Sequence, residues 1–302
     1  MIVIGSRGSA LALWQARHIA AALDALGAQT RIEVIKTTGD KIQDVPLAKA
    51  GGKGLFTKEI EEALLAREID IAVHSLKDLP AIVPSGLTLA AIPEREEARD
   101  AWISGADGRS LSSARQGAMI GTSSLRRAAQ LRAFRNDFII DTLRGNVDTR
   151  LRKLDEGRYD AIVLAAAGLR RLGLQDRIRQ IIPVEIMCPA VGQGALAIET
   201  RDDSGPAQEL ARKLDHVQTR IAVEAERALL STLGGGCQVP VGAHATLEGD
   251  VIRMHAIVAA PDGSRLLRCD AKGMDPVQLG AQVGEQLLGE GAREILSEVY
   301  AA

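Results

Sequence analysis

The chain has 302 residues, of which 46% are hydrophobic and 25% are charged, which is close to ordinary globular usage. This composition excludes disordered and fibrous proteins, and the length suggests two or three domains. The longest nearly apolar run, Ala161 to Leu169, has about half of the roughly 20 residues that a membrane helix needs. Aromatic residues make up only 2%, which argues against a nucleic-acid surface built on stacked bases.

The cysteines and the N-terminus indicate where the protein works. Cys188, Cys237 and Cys269 are too few and too far apart for a disulfide framework or a structural zinc site. The five histidines are scattered and form no metal-binding motif, so no metal is expected. No basic region precedes a long apolar stretch at the N-terminus, so we expect no signal peptide and a reducing, cytoplasmic location.

Charge is concentrated in one segment of the chain. The whole chain has a net charge of −2, but Arg126 to Arg179 contains twelve Arg and one Lys against seven acidic residues. That segment therefore carries +6 and the remainder carries −8. An Arg-rich segment in an acidic protein indicates an anionic ligand. The alternative is a solvated helix face with i,i+4 ion pairs.

The N-terminal part of the sequence alternates between predicted strands and helices. Ser9 is expected to cap the first helix, and Gly27 to end it. The predicted elements are a strand at 2–4, a helix at 11–26, a strand at 32–35, a loop at 38–54, a helix at 57–67 and a strand at 69–73.

The same order recurs further along the chain. Ile4-Gly5-Ser6 parallels Ile120-Gly121-Thr122, and Asp70 to Val73 parallels Asp160 to Val163. The later elements are strands at 119–121, 138–140 and 160–164, with helices starting at 125 and 147. This alternation predicts two α/β lobes with mostly parallel sheets, whose ligands bind beyond the carboxyl ends of the strands.

The pattern changes after about residue 217. A helix at 219–233 is followed by strands at 241–247, 251–260 and 265–271, and then by a helix at 276–288. Turn residues separate the strands, so we expect a small C-terminal α+β domain with an antiparallel sheet.

Three residues are candidates for chemistry on spacing alone. Cys237 follows three glycines and precedes Pro240, so it is a candidate nucleophile or attachment point, or else an inert small residue. Asp78 ends a predicted strand, where it either stabilises positive charge or satisfies a turn. Lys53 lies in a Gly-rich stretch that lacks the phosphate-loop pattern, and a flexible lid is the better interpretation.

Eight motifs in order resemble the porphobilinogen deaminase family. The resemblance is strong from residue 1 to about 245 and weak in the C-terminal sheet. Ala10 departs from the family, which often has Pro at that first helical position, a difference that concerns helix entry. The motifs are Ser6-Arg7-Gly8-Ser9 with Leu11 to Ala16, Lys36 to Asp40, Gly51 to Phe56, His74 to Pro80, Gly121 to Arg127, Leu143 to Val147, Gly192 to Leu196 and Gly235 to Pro240.

The resemblance implies an architecture and a reaction. It implies three domains, two of them like the lobes of solute-binding proteins, which we expect at 1–95 with 195–213, at 98–190 and at 217–302. Four porphobilinogen molecules would be condensed head to tail, with release of ammonia, to give the linear tetrapyrrole hydroxymethylbilane. The primer would be a dipyrromethane cofactor held by a thioether to Cys237. Asp78 would be the catalytic carboxylate that stabilises the cationic azafulvene left when ammonia departs.

The resemblance also assigns the binding residues. Each pyrrole carries an acetate and a propionate, which the planar guanidinium of Arg binds bidentately. The positions that match cofactor contacts are Ser75, Lys77, Thr122, Ser124, Arg126, Arg127 and Arg150. The positions that match substrate contacts are Arg7, Lys53, Phe56, Arg144, Arg150 and Arg171.

Two other functions remain possible at this point. A two-lobed, non-enzymatic anion-binding protein would explain the arginines but not Cys237. A hydrolase with a cysteine nucleophile needs a histidine partner, and His244 is close in sequence without a supporting motif. The expected partner is porphobilinogen, with no nucleic acid or membrane, and the expected state is a monomer.

Overall fold

A computed structural model of the chain describes residues 1–38, 57–234 and 239–301. The chain divides into two compact units, unit 1 with Met1–Glu96 and Ala195–Arg220, and unit 2 with Glu97–Gly194 and Ile221–Ala302. The helices are α1 Ala10–Ala25, α2 Lys58–Leu65, α3 Leu125–Phe134, α4 Val147–Asp155, α5 Ala166–Arg171, α6 Pro206–Arg212, α7 Val217–Thr232, α8 Pro276–Leu287 and α9 Arg293–Ala301. The strands are β1 Ile2–Ser6, β2 Thr30–Val34, β3 Ile71–Ser75, β4 Leu87–Ala91, β5 Asp100–Ser104, β6 Met119–Gly121, β7 Ile139–Asp141, β8 Ala161–Ala165, β9 Gln180–Ile181, β10 Leu196–Arg201, β11 Val241–Glu248, β12 Val251–Ala259 and β13 Leu266–Gly273.

Unit 1 is a three-layer α/β lobe. Its sheet has the strand order β2-β1-β3-β10-β4. Ile19 and Leu23 of α1 pack on one face of the sheet, and Ile60 and Leu64 of α2 pack on the other. Full burial of each such side chain contributes about 1.5–3 kcal/mol relative to an exposed position.

Unit 2 contains a second lobe with the same plan. Its sheet has the order β7-β6-β8-β5-β9, so each strand has a counterpart at the same place in unit 1. The backbone N–H of Val3 donates to Asp70 at 3.0 Å, and that of Met119 donates to Asp160 at 2.7 Å. The resemblance between the two halves predicted from the sequence is therefore an architectural one that extends to individual hydrogen bonds.

Unit 2 also contains a three-stranded antiparallel sheet, β11-β12-β13, as predicted. Leu229 of α7, Val283 of α8 and Ile295 of α9 are buried in its main core. Its other surface meets α3, because Ile257 and Ala259 lie in one buried cluster with Ala129 and Cys188. The fold class is thus two α/β lobes with a small C-terminal α+β part.

One detail of the predicted sheets is wrong. The lobes are mixed rather than mostly parallel, because each five-stranded sheet has two parallel and two antiparallel pairings. The antiparallel strands β10 and β5 lie in the interior of the two sheets. Neither strand was predicted, because the partners of β10 lie more than a hundred residues away in sequence.

Candidate functional site

The polar residues at the strand ends of unit 1 line one pocket. Ser9 caps α1 by accepting a hydrogen bond from the backbone N–H of Ala12 at 3.3 Å. Gln15, one and a half turns further on, is buried and donates to the hydroxyl of Ser75 at 2.9 Å. These residues line the pocket together with the guanidinium-bearing Arg7 and the carboxylate-bearing Asp78.

Asp78 owes its position to a short 3-10 turn, Leu76–Asp78, which follows β3 directly. Leu76, the first residue of the turn, and Leu79, directly after it, are both buried. They anchor the turn while the Asp78 side chain remains exposed. Lys77 is half-buried between them. The turn therefore presents a carboxylate to the solvent-accessible part of the pocket.

A buried acid–histidine pair beside this pocket was missed by the sequence analysis. Nε2 of His74 lies 3.0 Å from Oε2 of Glu199, and both side chains are buried. Burial raises the pKa of the neighbouring Glu61, and the charge of Glu199 raises it further. The sequence signal was weak, because a single His inside a strand is more often a packed residue than a functional one.

In unit 2 the corresponding strand end leads into α3. Ser124 caps this helix by accepting from the backbone N–H of Arg127 at 3.4 Å. Thr122 is buried, and its backbone N–H donates to the carbonyl of Asp141 at 2.9 Å. A helix N-terminus with hydroxyl groups beside it favours negative charge.

Arg126 and Arg127, in the first turn of α3, are buried around one carboxylate. Nη1 of Arg126 lies 2.8 Å from Oδ2 of Asp100, and Nη2 of Arg127 lies 2.7 Å from Oδ1. Burial acts to raise the pKa of Asp100, but attraction to the two guanidiniums outweighs it and holds that pKa below its ordinary value. Burial lowers the pKa of Arg127, an effect that the charge of Asp100 opposes.

The remaining predicted arginines of unit 2 fall into different environments. Arg171 is 9% exposed and donates from Nη2 to the carbonyl of Gly194 at 2.7 Å. Arg144 and Arg150 are half-buried, and Nε of Arg150 donates to the carbonyl of Gly145 at 2.7 Å. The alternative interpretation, a solvated helix face with i,i+4 ion pairs, is correct for Arg152, which pairs with Glu156.

Asp100 and Gln193 belong to this cluster but were not predicted as site residues, although Gln193 lies within the family motif Gly192 to Leu196. Asp100 is fully buried at the start of β5, and Gln193 donates to it from Nε2 at 3.0 Å. An acidic residue directly before the apolar run Ala101-Trp102-Ile103 was the available signal, because a buried charge needs a partner.

Three predicted site residues lie outside the described residues: Lys53, Phe56 and Cys237. The other two cysteines, Cys188 and Cys269, are buried free thiols, in agreement with their predicted structural role. Within the described ranges, no helix has the length and apolar character to span a bilayer. The same ranges contain no group of three or more His, Cys, Asp or Glu side chains arranged to hold a metal ion.

Taken one by one, the two lobes have the features of α/β proteins that bind anionic ligands, with hydroxyls, helix N-termini and arginines at their strand ends. Sequence comparison is more specific. The family profile described as "Porphobilinogen deaminase, dipyromethane cofactor binding domain" matches residues 2–209, and "Porphobilinogen deaminase, C-terminal domain" matches residues 220–289.

Curated relatives agree with this finding. "Porphobilinogen deaminase" of Syntrophobacter fumaroxidans is 52% identical over 100% of this chain and 99% of its own length. The protein of the same name from Brevibacillus brevis is 51% identical over 98% of this chain and 96% of its own length. A periplasmic substrate-binding protein of an ABC transporter from Coxiella burnetii is 14% identical, with a TM-score of 0.44, over 75% of this chain and 97% of that one.

The chain therefore belongs to the porphobilinogen deaminase family. It is a transferase of tetrapyrrole biosynthesis that condenses four porphobilinogen molecules head to tail on a covalent dipyrromethane primer, with release of ammonia. The non-enzymatic alternative is not favoured.

Proposed function

We propose that Asp78, Cys237 and two sets of arginines divide the work of this reaction. Cys237 carries the dipyrromethane, Asp78 is the catalytic carboxylate, and the arginines bind the acetate and propionate groups. The observation that supports this proposal best is the pocket of unit 1, which combines the carboxylate of Asp78 with the guanidinium of Arg7. The substrate has both an ionisable leaving group and carboxylates, so it needs both kinds of partner.

Asp78 would act electrostatically. When ammonia leaves porphobilinogen, the pyrrole becomes cationic, and a fixed carboxylate stabilises that charge. The anchored turn Leu76–Asp78 fixes the carboxylate in place before the reaction, so little reorganisation is required. Ser75 ends β3 and Lys77 lies in the turn that follows, and we assign both to contacts with the anionic groups of the same ligand.

The described residues of unit 2 fit the carboxylates of the cofactor. Asp100 neutralises only one of the two buried guanidiniums of Arg126 and Arg127, so this cluster retains one positive charge. Thr122 and Ser124 add hydroxyls beside the N-terminus of α3, and Arg150 adds a further cation. When bound, the cofactor supplies the terminal pyrrole ring onto which the chain is built.

The substrate set consists of Arg7 in unit 1 and Arg144, Arg150 and Arg171 in unit 2, with Lys53 and Phe56 from the predicted lid. Arg150 belongs to both sets. The four arginines recognise an acetate and a propionate on each porphobilinogen through bidentate hydrogen bonds, and Lys53 adds a further positive charge. Such recognition requires no nucleic acid or membrane, and we propose a cytoplasmic monomer.

We further propose that unit 2 comprises two domains, at 98–190 and 217–302, beside a first domain at 1–95 with 195–213. Separate sheets and separate main cores support this division.

The test combines intact mass with one conservative substitution. The purified protein should carry an adduct of two pyrrole units on the peptide that contains Cys237, and Cys237→Ala should lack it. Asp78→Asn should keep the adduct and lose turnover by about 10²–10³-fold, the usual cost of one preorganised electrostatic partner. Asp107→Asn, in an exposed turn, is the matched control and should keep normal turnover.

Two results would contradict this assignment. An active protein with unmodified Cys237 would exclude a covalent primer at that residue. Near-normal kcat in Asp78→Asn would reduce Asp78 to a turn residue.

A further inference from the structure

Asp100 is the centre of the buried charge cluster in unit 2. Its Oδ1 accepts hydrogen bonds from Nε and Nη2 of Arg127 at 3.0 and 2.7 Å, and from Nε2 of Gln193 at 3.0 Å. Its Oδ2 lies 2.8 Å from Nη1 of Arg126. Gln193 is itself held by the carbonyl of Ala98, to which Nε2 donates at 2.7 Å. One carboxylate thus fixes two guanidiniums and one amide.

The two arginines differ in how many guanidinium nitrogens remain available to bind a ligand. All three nitrogens of the Arg127 guanidinium are engaged, since Nη1 donates to the carbonyl of Val163 at 3.1 Å. Arg126 uses only Nη1, which meets Asp100 and donates to the carbonyl of Cys188 at 2.5 Å. Across residues 1–38, 57–234 and 239–301, neither Nε nor Nη2 of Arg126 has a hydrogen-bond partner.

We propose that Asp100 is a positioning residue for cofactor assembly, which holds Arg126 so that its Nε and Nη2 bind a carboxylate of the dipyrromethane. Arg127 and Gln193 keep the Asp100 carboxylate in place and contribute to binding through it. This inference rests on the proposed function, in which Arg126 is a cofactor contact.

Charge and geometry both support this role. Nε and Nη2 of a guanidinium lie on one edge and match the two oxygens of a carboxylate, so Arg126 has a complete binding edge left. Because Nη1 is anchored by Asp100 and Cys188, this edge is ordered before the ligand arrives, which reduces the entropy lost on binding. The surplus positive charge of the cluster gives the incoming carboxylate a counter-ion in a place that water screens poorly.

Two substitutions at Asp100 separate positioning from charge balance. Asp100→Asn removes the charge and turns one acceptor into a donor that faces other donors. Asp100→Glu keeps the charge but moves the carboxylate by one methylene, and so displaces the guanidinium of Arg126. The fraction of purified protein with the two-pyrrole adduct should fall about tenfold or more in both variants, the factor expected for one lost charge-assisted hydrogen bond.

The readouts are the adduct fraction by intact mass and the melting temperature by circular dichroism, so activity is not needed. The matched control is Asp160→Asn with Asp160→Glu. Asp160 is likewise held by a guanidinium, that of Arg115, and accepts from the backbone N–H of Met119, but contacts neither Arg126 nor Arg127. These controls should lose stability and keep their adduct.

Each outcome decides the question. A loaded Asp100→Asn, or an Asp100→Glu variant that loads and melts like the wild type, would overturn the positioning role. If Asp100→Asn does not fold, Asp100→Glu alone decides, since it retains the buried charge. The positioning role would also be overturned if the adduct fraction fell in proportion to the melting temperature in all variants, so that the Asp160 variants lost as much adduct as the Asp100 variants. A wild-type protein without adduct would refute the proposed function instead.

Discussion

The contact between α8 and α7 predicts opposite effects of one substitution at two glycines. Gly280 of α8 lies against α7 so closely that a Cβ atom there would sit 2.2 Å from the carbonyl oxygen of Ala225 and 2.6 Å from Cβ of Ala228. The backbone atoms of α7 cannot swing aside as a flexible side chain would. Gly280→Ala therefore requires the two helices to move apart.

The magnitude follows from two opposing contributions. Alanine is more favourable than glycine inside a helix by about 1 kcal/mol. Overpacking of a well-packed core costs about 1–3 kcal/mol, and more where backbone must shift. With an oxygen as near as 2.2 Å, we expect the upper end of that cost and a net loss of about 2 kcal/mol.

The control is Gly289→Ala, where a Cβ atom would meet nothing within 4 Å. This change should be neutral or stabilise by about 0.4–1 kcal/mol, because alanine restricts the unfolded chain. Urea denaturation followed by circular dichroism gives both midpoints under one condition. If Gly280→Ala is as stable as Gly289→Ala, the close packing of α8 against α7 is refuted.

The remaining predictions concern the arginines and acid stability. Arg126→Leu should prevent adduct formation, whereas Arg7→Leu and Arg144→Leu should retain the adduct and stall at different enzyme–intermediate complexes. Native mass spectrometry after addition of limited substrate resolves these complexes. If all three variants instead show the same loss of substrate affinity, the arginines form a generic basic patch. Hydrogen bonds from Arg99 lower the pKa of Glu97 to about 2, so its stabilising contribution is complete above the ordinary pKa and disappears as pH falls to about 2. Urea midpoints of Glu97→Gln and wild type should thus differ at neutral pH and converge in acid, and a constant difference would contradict this.

Local signals were sufficient for most elements of the fold. Ser9 and Ser124 cap their helices as predicted, since a hydroxyl before an apolar-periodic run is a local feature. Gly27 ends α1 with a positive φ of 87°. By contrast, β5 and β10 depend on pairing with strands far away in sequence, and periodicity over a short window carries no information about such partners.

The candidate site likewise combines residues that local sequence signals identify with residues whose role depends on contacts far away in sequence. The family resemblance assigned Arg126, Arg127 and Arg171 to the site, but composition could not show that these are buried while Arg170, beside Arg171, is exposed. Burial depends on helix phase and on what packs against it. For Asp100 the sequence indicates only that a buried charge needs a partner, because its role follows from contacts with residues about thirty and ninety positions away.

The two lobes share a scaffold and differ in what that scaffold presents. In each, an aspartate directly before the central strand, Asp70 before β3 or Asp160 before β8, accepts a hydrogen bond from the backbone of the neighbouring strand β1 or β6 and is held by an arginine. These aspartates fix the strand register, so the polar loops begin at matching places in both lobes. At their strand ends, unit 1 carries the carboxylate of Asp78, and unit 2 carries the guanidiniums of Arg126 and Arg127. A reaction that creates a cation on a ligand rich in carboxylates needs both: a fixed anion where the cation forms, and cations where the carboxylates of the growing product collect. Unit 1 already combines both charges at one sheet edge, Asp78 with Arg7, and unit 2 adds the cationic cluster of Arg126 and Arg127.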